Sequence, residues 1–406
     1  MTAQTHMHAM SVAQPHVEPR RFTVAAIVGV IGIHTIAQRY RLSRTIKRRC
    51  YPLTRLVLGG MLAVSACMAM SGCYLLESAY GQLSLLSKRE PIERVIARPS
   101  TPEAVRLKLE EVADIRRFAS HDLGLPEDGS YRSYARISRN YVVWAVVAAP
   151  EFSIDPRLWC YPIVGCVAYR GYFVERKARA FAAHWSKKGF DVTIDGVAAY
   201  STLGHFDDPI ISTMINWSDT DLAAVIFHEL THQMLYVAND ADFDEALAMT
   251  VQEEGVRRWL TLQGRESELA AREVDEDHQR QAVELLRHTR DQLRILYASG
   301  GTLRTMREEK RATLAALQVS YEVLKKQWGG AGPFDSWFDD GINNAKLASI
   351  ATYYDCIPGL QRELAAVNGD LAAFYRRAFE LSKLSRSGRH AVLCETTNDR
   401  VQQPGM

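Results

Sequence analysis

The spacing of apolar positions divides the chain at about residue 219. Beyond it the period is helical. Ser218-Asp219 offers an N-cap for a helix reaching about Tyr236, Asn239-Asp240-Ala241-Asp242 breaks it, and a second helix follows from Phe243 to about Gln263. Glu266 to Tyr297 and Leu303 to Trp328 are highly charged with regularly spaced leucines, and Ala298-Ser299-Gly300-Gly301 separates them, which predicts a long helical hairpin. Gly329 to Pro333 ends it, and a last helical region spans Asn343 to Leu384. Ahead of residue 219 the period is mixed. Leu75 to Ser87 is apolar-rich, and Pro102 to Ser120 reads as a charged amphipathic helix. From Tyr131 to Phe173, and again from Phe190 to Gly204, valine, tyrosine and tryptophan punctuated by proline and glycine predict a small sheet, with a helix from Glu175 to Gly189 between its strands. The pattern is that of a mostly helical α+β protein without internal repeats.

Charge changes the picture at the N-terminus. The formal net charge is +2, but residues 1–72 carry nine Lys/Arg against the single acid Glu18, leaving 40 basic and 46 acidic residues after Gly72. The body is mildly acidic, which argues against nucleic acid as a partner. Within the leader, Lys47-Arg48-Arg49 and Arg55 precede an uncharged run from Leu56 to Met70, followed by Ser71-Gly72-Cys73. A basic stretch, an apolar core of about 15 residues and small residues at the break fit an export signal, whereas about 20 are needed to span a bilayer. Met70-Ser71-Gly72-Cys73 resembles a bacterial lipobox, whose cysteine is lipidated and becomes the first residue. Tyr74 rather than Asp follows it, which by that resemblance favours the outer membrane, facing the periplasm.

Of seven cysteines, Cys50 and Cys67 fall in the leader and Cys73 at its end. Four remain, an even number suited to an oxidising compartment. Cys160 and Cys166 flank a turn-like segment and can bridge two facing strands; Cys356 and Cys394 can pin the C-terminal tail to the last helices. Four buried thiols are the alternative.

The chemistry concentrates in Val225 to Leu235, where His228-Glu229-Leu230-Thr231-His232 forms an HExxH pattern. Two histidines four apart on a helix project from one face, so both imidazoles can reach one ion. Zinc bound by them leaves room for a third ligand and a water, and Glu229 can lean over that open position to take the proton of the water and later deliver it to the leaving amine. The remaining faces are apolar, as expected of a helix beneath a cleft. Glu245, thirteen residues after His232, is the best-placed third ligand, with Glu253 and Glu254 as rivals further along the same helix. Two histidines and a glutamate make the ligand set of a thermolysin-like zinc site. Asp240, Asp242 and Asp244 either orient a ligand histidine or serve as turn and cap residues. Tyr353, Tyr354 and Tyr200 are candidates to meet negative charge on the substrate carbonyl. Val197 to Gly204 can hold substrate backbone as an edge strand, and Glu253, Glu254 or Asp207-Asp208 can anchor a free amine.

The chain resembles the zinc aminopeptidase family of proteobacterial lipoproteins, within the gluzincin group. The likeness runs through Ser71-Gly72-Cys73, Gly81-Gln82-Leu83, Gly129 to Tyr134, Trp159-Cys160, Gly165 to Phe173, Ala199 to Gly204, the His228–His232 motif, Glu253-Glu254-Gly255 and Asn343-Asn344-Ala345. By that resemblance His228, His232 and Glu245 bind one zinc ion and Glu229 is catalytic, while Asp244 stands where the family pattern places Asn. The expected organisation is a leader (1–72), a thermolysin-like zincin core with a small sheet (73–265), a charged helical hairpin (266–330) and a C-terminal helical part that completes the catalytic domain (331–406). The expected activity is hydrolysis of peptides by an aminopeptidase tethered to a membrane through a lipid on Cys73. An envelope zinc endopeptidase shares every metal residue, and a lipid-anchored assembly protein with a structural zinc and a partner on the hairpin is the non-enzymatic alternative.

Overall fold

A computed structural model describes residues 74, 77–161, 165–199, 202, 206–354 and 356–394, except the side chains of residues 161, 165 and 351–353. Residues 77–84 are helical and belong to a separate unit; from Leu85 onward the described chain forms one compact unit. Cys73 and the leader lie outside the described residues. Among those described, no helix is long and apolar enough to cross a membrane.

The elements run β1 (Arg89–Pro91), α1 (Ile92–Ala97), α2 (Glu103–His121), β2 (Ser133–Ala135), β3 (Val143–Pro150), β4 (Trp159–Tyr161), β5 (Gly165–Val167), β6 (Tyr169–Tyr172), α3 (Glu175–Ser186), β7 (Phe190–Val197) and β8 (Ile210–Ile211). Helices follow: α4 (Asp219–Met234), α5 (Ala241–Leu262), α6 (Glu266–Ala298), α7 (Leu303–Gln327), α8 (Asp335–Asp339), α9 (Asn344–Tyr354), α10 (Ile357–Ala366), α11 (Leu371–Ser382) and α12 (Arg386–Leu393). The protein is mostly helical with small sheets.

Instead of one small sheet, the described residues form three. β6-β3-β7 is antiparallel throughout, β1-β2-β8 pairs β2 with β8 in parallel, and β4-β5 is a two-stranded ribbon in which Cys160 opposes Cys166 and is bonded to it. The central strand β3 is buried nearly along its whole length because α3 covers one face, through Ala148 and Trp185, and α9 the other, through Val147, Ala149 and Ala345. A strand covered on both faces reads as a continuous apolar run, which is how VWAVVAAP reads. β7 ends at Val197. The edge strand expected over Val197 to Gly204 is therefore not formed in its described part: the Thr202 hydroxyl and N–H turn instead to the buried Asp208 carboxylate, at 2.9 and 2.7 Å.

The main core surrounds α4 and α5. Leu222, Ile226, Phe227 and Leu230 of α4 meet Phe243, Leu247, Val251 and Val256 of α5, and Leu109, Val112, Ile115 and Phe118 of α2 close over them. Each such side chain withdrawn from water contributes about 1.5–3 kcal/mol. Ser218 caps α4 by accepting from the Asp221 N–H at 3.0 Å, as the sequence predicts. The α6–α7 hairpin is no free arm. Val283, Leu286 and Leu293 of α6 with Leu317 and Tyr321 of α7 pack against Phe338 of α8 and Leu347 and Ile350 of α9. Helix also continues past Leu384, in α12.

Candidate metal centre

Apart from the half-buried Val225, α4 is buried from Leu222 to His232, so its polar side chains there are withdrawn from water. His228, Glu229 and His232 thus need partners inside the protein. The i, i+4 spacing aims both rings the same way, centroids 4.8 Å apart and nearly perpendicular, and their Nε2 atoms approach to 3.1 Å. α5 brings back Glu245, whose Oε2 lies 3.2 Å from Nε2 of His228 and whose Oε1 lies 3.7 Å from Nε2 of His232. All three residues are buried.

These distances test whether a metal ion suits the residues. Ligand atoms about 2.0–2.1 Å from a tetrahedral zinc lie roughly 3.3 Å from one another, and the observed separations straddle that value. Two neutral imidazoles facing Nε2 to Nε2 cannot both donate, and the carboxylate between them only accepts. The set is shaped to share positive charge, and the residues fit a divalent cation. Glu229, 1 % exposed, has neither carboxylate oxygen hydrogen-bonded, a second mark of a site built for groups beyond the chain itself.

In the bare chain the carboxylate and the imidazoles stabilise one another's charge. Burial pushes the Glu245 carboxyl up, but His232 and His228 outweigh it and hold it at about 2. Burial pushes the His228 ring down, and the contacts with Glu245, then Glu229 and Gln252, more than reverse this. Gln252 was missed by sequence reading, although its spacing of two turns from Glu245 places it on the same face of α5. Tyr236 was missed as well: four residues after His232, its half-buried ring lies edge-on to that histidine, centroids 6.4 Å apart.

The other candidates go elsewhere. Among the described residues, neither His228 nor His232 partners Asp240, Asp242 or Asp244. Asp240 pairs with Arg389 and His390, Asp242 with Arg386, and Asp244 accepts the Val237 N–H at 2.8 Å. Asp240, Asp242 and His390 also have metal-ligand spacing, yet the guanidinium groups of Arg386 and Arg389 already supply positive charge there. Cys356 and Cys394 also lie near His390 and are joined to each other. Glu254 is held by Arg257 and Arg258, and Glu253 accepts from Gln361 at 2.9 Å. Both line a cavity of about 430 Å³ between α5, α6 and α10, to which none of His228, His232 and Glu245 contributes. Asp208 is occupied by Thr202. The Tyr354 hydroxyl accepts from Gln279 at 2.6 Å, outside the histidine group. The side chain of Tyr353 and all of Tyr200 lie outside the described residues.

A buried helix pair presenting two imidazoles, one bridging carboxylate and one unbonded carboxylate defines a candidate hydrolytic metal centre. A family model described as "Putative aminopeptidase" matches residues 73–393, and the chain belongs to that family. Membership makes it a peptidase, with peptides as the substrate class. No curated protein and no solved structure gives a significant match.

Proposed function

We propose that this chain is a zinc-dependent aminopeptidase in which His228, His232 and Glu245 hold the ion and Glu229 transfers protons. The observation that carries the reading is the convergence of two Nε2 atoms and one carboxylate within 3.1–3.7 Å, beside a buried acid that no described residue hydrogen-bonds. A cation held there supplies Lewis acidity, lowering the pKa of a water and polarising the scissile carbonyl. Glu229 follows His228 in the helix, so its carboxylate can receive the proton of the attacking water. The O–C bond forms as that proton arrives on Glu229, and the C–N bond breaks as Glu229 passes it to the departing amine. The apolar surroundings of α4 keep bulk water from competing for that proton. The thermolysin-like description rests on this ligand set, and the exopeptidase part on the family description.

The basic leader and Ser71-Gly72-Cys73 support export and anchoring to the outer membrane through Cys73. Fatty-acid labelling that persists in Cys73→Ser would remove the anchor from the reading.

The decisive comparison is Glu229→Gln against Glu245→Gln, read by metal analysis and digestion of free and N-acetylated peptides. Glu229→Gln is expected to keep about one equivalent of zinc and lose turnover. Glu245→Gln is expected to lose the metal. Turnover surviving in Glu229→Gln would remove Glu229 from its role, and cleavage of acetylated peptides would replace the aminopeptidase with an endopeptidase.

A further inference from the structure

The break between α4 and α5, residues 235–240, bears on where Glu245 falls; across it the Val237 N–H bonds to the Asp244 carboxylate at 2.8 Å and the Asp240 N–H to the Val237 carbonyl at 3.1 Å. Asn239 takes a left-handed φ of 66°, and α5 starts without a side-chain cap. Backbone bonds from Phe243 and Asp244 to the Asp240 carbonyl open the helix, at 3.1 Å each. Asp240 thus carries the first turn of α5 on its carbonyl, while its side chain is held from elsewhere.

That hold comes from the far end of the chain. Asp240 is 1 % exposed; its Oδ2 accepts from Nε of Arg389 at 2.7 Å and also from Nη2, while its Oδ1 lies 2.6 Å from Nε2 of His390. Arg389 is itself buried. Its Nη1 donates to the carbonyls of Ser382 and Leu384 at 3.1 and 2.8 Å, at the end of α11, and its guanidinium lies 5.1 Å from the ring of Phe243 in the first turn of α5. Arg386, one turn earlier on α12, pairs with Asp242. The disulfide Cys356–Cys394 fastens the other end of α12 to the start of α10. Three successive anchors on α12 therefore fix the residues five and three positions ahead of Glu245.

We propose that Arg389, seconded by His390, is a positioning residue for the metal-binding carboxylate: α12 clamps Asp240 and so sets the reach of Glu245 toward His228 and His232. The inference rests on the metal-site reading above. Its physical basis is tolerance. A ligand set must be held within about 0.5 Å of its working geometry, and buried charge-assisted bonds in a forked geometry are among the few contacts stiff enough to do it. Glu245 lies barely one and a half turns beyond Asp240, so a tilt at the break is carried directly to its carboxylate.

The test uses the full-length chain in detergent, with cobalt(II) absorption as a report of coordination and chelator competition as a report of zinc affinity. Arg389→Met keeps the stem over Phe243 and removes the fork; it is expected to weaken zinc at least tenfold and alter the cobalt bands. Arg389→Lys, which still offers Asp240 a cation, is expected to restore part of both. Tyr375→Phe removes a buried bond to the Leu123 carbonyl in the same core, far from the break in sequence, and is expected to leave both unchanged. If Arg389→Met does not fold, His390→Ala carries the test, with a severalfold loss expected. Wild-type affinity and spectrum in Arg389→Met, or in His390→Ala where that variant carries the test, would overturn the proposal, as would an equal loss in Tyr375→Phe. A wild-type chain that takes up neither cobalt nor zinc fails the metal-site reading itself, and the proposal falls with it.

Discussion

Gly255 of α5 passes so close to Phe227 of α4 that a Cβ there would lie 2.7 Å from the phenylalanine ring and 2.8 Å from Leu123. Phe227 is the residue before the first histidine, it is fully buried, and it has no room to yield. The close approach of the two helices, and with it the meeting of His228 and Glu245, depends on the missing side chain.

Gly255→Ala is accordingly expected to destabilise the protein even though alanine is the better helix former. The gain in helix propensity is about 1 kcal/mol, while overpacking a closed core costs about 1–3 kcal/mol and displaces its neighbours. Chemical denaturation should show a net loss of up to about 2 kcal/mol, and zinc affinity should fall with it. A more stable variant would show that the helices have slack.

Removing the metal should also be visible in stability. A cation that binds only the folded chain adds about 2.7 kcal/mol at a hundredfold excess over its Kd. Exhaustive chelation should therefore lower the melting temperature of wild type and leave Glu245→Gln nearly unmoved. Equal shifts in both would place the stabilising metal elsewhere.

Asp195 gives a pH-dependent expectation away from the candidate metal centre. It sits half-buried on β7, and burial, set against Lys346 and Thr193, pushes its carboxyl up to about 6. The folded chain thus holds this proton more tightly than the unfolded one, whose value is near 3.8. The stability it contributes is complete below about pH 4 and lost as pH rises through 6. Asp195→Asn should stabilise the protein at pH 7.5 by about 1–2 kcal/mol, less than the roughly 3 kcal/mol of a two-unit shift because Lys346 loses its counter-charge. At pH 4 the difference should vanish. Urea titrations at both values decide it, and a variant less stable at pH 7.5 would contradict it.

Much of the centre was legible because its signals are local. The i, i+4 spacing of His228 and His232 needs nothing but a helix to bring the rings together, and Ser218 and the Asn239–Asp242 break mark that helix's ends within a few residues. Glu245 was legible for a related reason: a short break between two helices confines where the second can return. The sheets were less so. Residues 131–173 announce strands by composition, but which strands pair is set by long-range contacts that composition does not carry, and the described residues form three small sheets where one was expected.

What the sequence determined by itself was chemical identity and local geometry: two imidazoles on one helical face, an acid beside the first, and a carboxylate one short break away. What only the tertiary structure decided was which of several acids lies against the histidines, and what holds it there. Glu245, Glu253 and Glu254 share one helix and differ in direction; packing against α4 turns the first toward the histidines, while Arg257, Arg258 and Gln361 take the other two. The clamp on Asp240 comes from Arg389 and His390, about 150 positions downstream. Pairing across such a separation leaves no period in the sequence, because it depends on where the intervening helices stack rather than on any spacing along the chain.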